Sequence, residues 1–138
     1  MKANELRIGN WVSDISDEQN KYQVELIKKD DEGFEGYYIV YGNGSLKASL
    51  ESDLIEPVKL TPEIMLKCGF EKREDEEVHF GVAEITTIYE KYIVQVYFDN
   101  YGALILYKSQ YDMNRPKYLH QLQNLYFAIT GKELEVKL

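Results

Sequence analysis

The side chains best suited to nucleophilic or metal chemistry here are one thiol and two imidazoles: Cys68, His79 and His120. A nucleophile–base pair needs the thiol beside a ring that takes its proton, and a zinc site needs three or four such donors together. The spacing supports neither. No HxxxH, CxxC or HExxH pattern occurs. Cys68 falls on the apolar face of a short predicted helix, where a thiol serves as a small hydrophobe, and each histidine reads as structural or solvent-facing. Glu74-Asp75-Glu76-Glu77 offers carboxylates to a divalent cation, but lacks the alternating ligands and internal glycine of a calcium loop, so it reads as an exposed, solvated loop. Gly42-Asn43-Gly44 looks like Gly-x-Gly without the strand–loop–helix of a phosphate site, and reads as a hairpin turn. The sequence therefore assigns no catalytic residue, no metal ligand and no cofactor, and the expectation is a protein that is not an enzyme.

The aromatic residues are better candidates, for binding. Tyrosine is over-used, with twelve Tyr beside five Phe and one Trp. Tyr suits half-buried strand positions and contact surfaces alike. Trp11, Tyr37, Tyr38 and Tyr41 all fall in one β-rich stretch, and small barrels often take peptides on exposed aromatics near their loops. The last predicted helix has an amide-rich polar face, with Gln121, Gln123 and Asn124. Amides at helix spacing can contact a partner or adenine edges in DNA, but only Arg115 and Lys117 lie nearby to engage phosphates, and the stripe reads as solvent-facing.

These residues must be positioned by short elements. Residues 5–12 read as a strand interrupted at Gly9-Asn10, 13–20 as a polar loop, and 22–28 as a strand from the period-two recurrence of Tyr22, Val24 and Leu26. Strands near 34–41 and 46–50 flank the Gly42–Ser45 turn, and a last strand or extended exit runs through 53–58. Four or five short strands in about sixty residues tend to close into a small barrel. The fold class is α+β: an N-terminal small antiparallel β-barrel or sheet, SH3-like, in residues 1–58, then a helix–three-strand meander–helix module in 59–138. Thr61, Pro62 and Glu63 carry the cap, first-turn proline and first-turn acid of a helix over 62–68. Gly69 and Phe70 fit its left-handed end. Runs at 78–89, 92–98 and 103–108 read as antiparallel strands, with the middle one central. Residues 109–117 read as a polar loop. Leu119, Leu122, Leu125, Tyr126 and Ile129 mark an amphipathic helix over 118–130, and Leu134, Val136 and Leu138 allow a short closing strand.

The chain has 138 residues, net charge −8 and 44% apolar residues. The acidity is shared, net −5 over residues 1–60 and net −3 over 61–138. This disfavours non-specific binding to a phosphate backbone, which needs clustered Lys and Arg, so nucleic acid is not the expected partner. No apolar run approaches the roughly twenty residues of a membrane span, and a single cysteine excludes an internal disulfide. No membrane partner and a cytoplasmic location are expected, although a virion component or injected protein would look the same.

Three blocks carry a resemblance: Asn4 to Val12 (NELRIGNWV); Ile55 to Glu63 (IEPVKLTPE) with Cys68-Gly69-Phe70; and Tyr118 to Gly131 (YLHQLQNLYFAITG). In this order they resemble a family of short uncharacterised proteins from Bacteroidetes genomes, prophages and related phages. The His120–Ala128 stretch is the most specific, and residues 71–112 match nothing. The resemblance implies a phage or mobile-element setting, and it brings no activity and no site residues.

The reading that follows is a non-enzymatic protein-interaction module, an accessory protein of a phage or mobile element, with an unidentified protein partner. Two alternatives stand beside it: an acidic inhibitor that binds a basic host nucleic-acid-binding or defence protein, and a small hydrolase or nuclease. A homodimer through an edge strand or the face of helix 118–130 is open.

Overall fold

Why Thr61-Pro62-Glu63 starts a helix is visible at atomic scale. In the computed structural model, Thr61 is extended and its Oγ1 accepts the Ile64 N–H at 3.3 Å. Pro62 opens α1 (Pro62–Lys67). The helix stops where Gly69 turns left-handed, at φ +73°. The Gly69 N–H then reaches the Leu66 carbonyl at 2.9 Å and the Phe70 N–H reaches Met65 at 3.1 Å. These two bonds are the paired closure of a Schellman end. Six residues are too few for a self-standing helix, so α1 depends on burying Ile64 and Met65.

The structure describes residues 5–15, 17–29, 37–41, 46–49, 55–79, 82–99, 101–108, 110–112 and 115–138. The other strands and the second helix are β1 (Trp11–Asp14), β2 (Asp17–Lys29), β3 (Tyr37–Tyr41), β4 (Leu46–Ser49), β5 (Ile55–Pro57), β6 (Glu71–His79), β7 (Val82–Lys91), β8 (Val94–Asp99), β9 (Gly102–Tyr107), β10 (Gln110–Asp112) and α2 (Leu119–Thr130). The protein is α+β, with two antiparallel sheets ordered β4-β3-β2-β1-β5 and β10-β9-β8-β7-β6. Among the described residues β4 and β5 are not paired with each other, so the first sheet has two free edges there. No helix among them is long and apolar enough to cross a membrane.

The chain forms two compact units. One takes Met1–Lys59 with Tyr118–Asn124, the other Leu60–Lys117 with Leu125–Leu138. In the first, Leu6, Val12, Val24 and Ile55 form a buried cluster with Tyr22 and Ile27 against it. In the second, Met65, Phe70, Ile88, Val94, Val96, Ala103, Ile105 and Tyr126 are buried.

Several local expectations are corrected. The first strand begins only at Trp11, because residues 7–10 form a turn: the Asn10 side chain accepts the Arg7 N–H at 2.7 Å while the Asn10 N–H returns to the Arg7 carbonyl at 3.1 Å. A short polar side chain that bonds its own backbone in this way competes with a strand, and Ile8 is left exposed. The expected loop at 13–20 is in part strand, since β2 starts at Asp17 opposite Asp14.

The charge cluster at 71–77, expected to be an exposed loop or hairpin end, belongs to β6, paired with β7 from Glu71↔Glu90 to His79↔Val82. It lies at the sheet edge, where charged side chains deter pairing with other chains. Residues 110–112, expected in a loop, form β10 beside β9. The second unit thus has a five-strand meander where three strands were expected. The β7–β8 turn falls at Tyr92-Ile93, between the paired Lys91 and Val94, two residues beyond the expected Glu90-Lys91. The expected closing strand at 134–138 is absent; Leu134 is buried there and the Lys137 N–H reaches the Lys67 carbonyl at 3.0 Å. The central position of β8 and the spans of both helices match expectation to within a residue.

Candidate functional site

The amides of α2 expected to face solvent are in part buried. Gln123 and Asn10 are both almost fully enclosed in the first unit. Gln123 Oε1 accepts the Trp11 N–H at 3.1 Å and Asn10 Nδ2 at 3.4 Å, while Gln123 Nε2 donates to the Gly9 carbonyl at 3.0 Å. Asn124 Oδ1 accepts Arg7 Nε at 2.7 Å and Asn10 Nδ2 at 3.1 Å, and its Nδ2 donates to the Glu5 carbonyl at 2.8 Å. This clasp joins the first and third blocks of the resemblance. The middle block meets the third through the Leu119 N–H on the Val58 carbonyl at 2.8 Å and the Lys59–Tyr118 bridge. Each side-chain nitrogen and oxygen of Asn10 and Gln123 has an internal partner, so these residues act on the fold and present little to a ligand.

His120, on the same helix, is buried without such partners. Its ring is buried, neither nitrogen has a hydrogen-bond partner within the protein, and it stacks on Tyr118 at 5.9 Å. Burial holds its pKa below the ordinary 6.5, with Glu5 pulling weakly the other way. The ring is therefore neutral at pH 7. Cys68 is fully buried, and burial pushes its thiol up to about 12 against the opposing charge of Lys91. A thiol so placed is unreactive at neutral pH. The side chain of His79 lies outside the described residues. Among the described residues, no three of His, Cys, Asp and Glu gather where they could share a metal ion.

Trp11 is half-buried at the start of β1, opposite Gln23. Tyr41 pairs with Val24 across β2, so its backbone stands two strand spacings from Trp11, about 10 Å. Tyr38 and Tyr37 lie further along β3, opposite Lys28 and Lys29. The side chains of these three tyrosines lie outside the described residues.

A concavity lies in the second unit. Leu66, Lys67, Cys68 and Gly69 at the end of α1, Lys91 at the end of β7, and Glu135 and Lys137 of the tail line an open cleft of about 450 Å³, within the range of ligand sites. Lys91 Nζ donates to the Cys68 carbonyl at 2.5 Å, capping the carbonyl end of the helix dipole. A Cβ on Gly69 would stand 3.1 Å from that ammonium, so the glycine serves both the left-handed turn and this close approach.

Next to Lys91 in the chain stands Tyr92, at φ +60° and 65% exposed, with Lys132 Nζ 4.6 Å from its ring centre. Leu66 is also exposed. Lys67, Lys91, Lys132 and Lys137 make up four of the nine basic residues in positions 61–138. Sequence reasoning missed this group because its members come from three separated segments. The only local signals were the helix end at Gly69 and the short β7–β8 link, and neither says that they meet.

No family model, curated protein or solved structure matches this chain.

Proposed function

We propose that this chain is a non-enzymatic protein-interaction module, an accessory protein of a phage or mobile element, that engages its protein partner at the cleft beside α1. The observation that carries this is an exposed tyrosine in an unfavourable backbone conformation next to a lysine-lined concavity. A left-handed φ costs a side-chain-bearing residue roughly 1–2 kcal/mol, and two-residue hairpin turns favour Gly or Asn there. Tyr92 bears that cost with its ring in solvent. Strain kept at a surface position points to a use for the side chain, and Tyr is a favoured contact residue. The phage setting rests on the three resembling blocks, whose clasp role leaves binding to other parts of the chain.

For the first unit we propose the open-sheet form of the SH3-like reading, since among the described residues β4 and β5 are not paired with each other. Its support is five antiparallel strands and a bulge at Glu25 of β2, between the pairs Val24↔Tyr41 and Leu26↔Val40, since bulges bend a strand and curl its sheet. The acidic-inhibitor reading draws less support. On β6, Glu74 pairs with Lys72 at 2.9 Å and Asp75 with Arg73 at 2.8 Å, so part of that acidity is neutralised locally. The hydrolase reading loses two of the residues it would use, Cys68 and His120, to burial.

The test is site-specific photo-cross-linking. A cross-linking amino acid at Tyr92 is expected to capture one discrete protein from cells that express the chain. The same group at Ile85, equally exposed on β7, is expected to capture none. Equal or diffuse products from both positions would overturn the proposal.

A further inference from the structure

We infer that the occupant of this cleft is a carboxylate-bearing protein segment, an acidic stretch carrying at least one aliphatic or aromatic side chain; this rests on the interaction reading above. The charge of the cleft runs against that of the whole chain. The protein carries net −8, yet the side chains lining the cleft include three ammonium groups, Lys67, Lys91 and Lys137, and one carboxylate, Glu135. Lys132, above the Tyr92 ring, adds a fourth cation to the adjoining surface. Such a local reversal of sign steers an oppositely charged partner to one place.

The apolar requirement comes from Leu66 and Tyr92, both more than half exposed. They offer contact area that a purely ionic ligand would leave wet. A phosphate backbone fits less well, because the rest of this acidic chain repels a long polyanion, whereas a short acidic segment meets mainly the lysines. The lysines are solvent-exposed except for the half-buried Lys91. Each ion pair is therefore individually weak, and recognition requires several carboxylates together with the apolar contact.

Fluorescence anisotropy on the full chain tests this. The probe is a short labelled peptide in which Glu and Asp flank a Leu-Phe pair. Its comparators are the same peptide with Gln and Asn in place of the acids, and a single-stranded oligothymidylate of similar charge. The acidic peptide is expected to bind at least about tenfold more tightly than its amide counterpart. The double variant Lys67→Glu/Lys137→Glu is expected to weaken it at least about tenfold, and raised salt should weaken it too.

The control Lys59→Glu/Lys72→Glu makes the same change of charge at exposed lysines that do not line the cleft and is expected to shift affinity less than about threefold. All four sites are exposed, so both proteins should fold, which circular dichroism checks. Equal binding of acidic and amide peptides, equal losses in the two double variants, or tightest binding by the oligonucleotide would each overturn the inference. If no probe binds while cross-linking at Tyr92 still captures one protein, the acidic occupant is wrong and the interaction reading stands. If cross-linking fails as well, both fall.

Discussion

Gln123→Leu is expected to lower the unfolding free energy by about 3 kcal/mol, read from urea denaturation at pH 7. The shape is nearly conserved, so the loss comes from hydrogen bonds. The Trp11 N–H loses its acceptor, and Asn10 Nδ2 and the Gly9 carbonyl each lose one partner. The carbonyl keeps Gln23 Nε2 at 3.1 Å and Asn10 keeps Asn124, so the orphaned Trp11 amide dominates. Its hydrogen-exchange protection should fall with the mutation.

Gln123→Glu tests the direction of these bonds. A carboxylate can accept from Trp11 and Asn10 but cannot donate to the Gly9 carbonyl, and burial would raise its pKa in the folded state. Its contribution to stability should therefore recover as pH falls through that raised value, where the neutral acid can again donate. A loss below about 1 kcal/mol for the Leu variant, with Trp11 still protected, would mean that the clasp does not hold the first unit.

Met65→Ala is the second large effect, at about 3 kcal/mol. Met65 has no solvent exposure, and α1 has six residues and no stability of its own, so the lost packing loosens the helix whose end forms the cleft. Affinity for the acidic peptide should fall with it. Leu66→Ala, one residue on and facing solvent, separates the two roles: a stability change within about 0.5 kcal/mol but weaker peptide binding. If Leu66→Ala destabilised as much as Met65→Ala, the buried face of α1 would be misassigned.

Features fixed by short-range chemistry were legible in the sequence. Thr61-Pro62 and Gly69-Phe70 bound α1 because caps and left-handed ends are set within a few residues. The stripe from Leu119 to Ile129 marked α2 because a helix writes its buried face at period 3.6. What failed depended on distant partners. β6 contains no alternation of apolar residues; it is a strand because β7 pairs with it along its length. Gln123 and Asn124 looked like solvent-facing amides because their partners, Asn10, Trp11 and Arg7, lie more than a hundred residues away. Trp11 stood out by type, yet the structure gives its strand an anchoring contact to α2. The cleft was hidden for the same reason: Lys67, Lys91 and Lys137 are unremarkable singly and gain meaning only when the fold places them around Gly69.

The most direct measurement is an amide-resolved NMR titration of the isotope-labelled protein with the acidic Leu-Phe peptide. The largest shift changes are expected at Leu66–Gly69, Lys91–Ile93 and Glu135–Lys137, with Trp11 and the β3 tyrosines Tyr37, Tyr38 and Tyr41 unmoved. Shifts concentrated on Trp11 and β3, with the α1 end silent, would contradict binding at the cleft and return the binding face to the aromatic strands of the first unit.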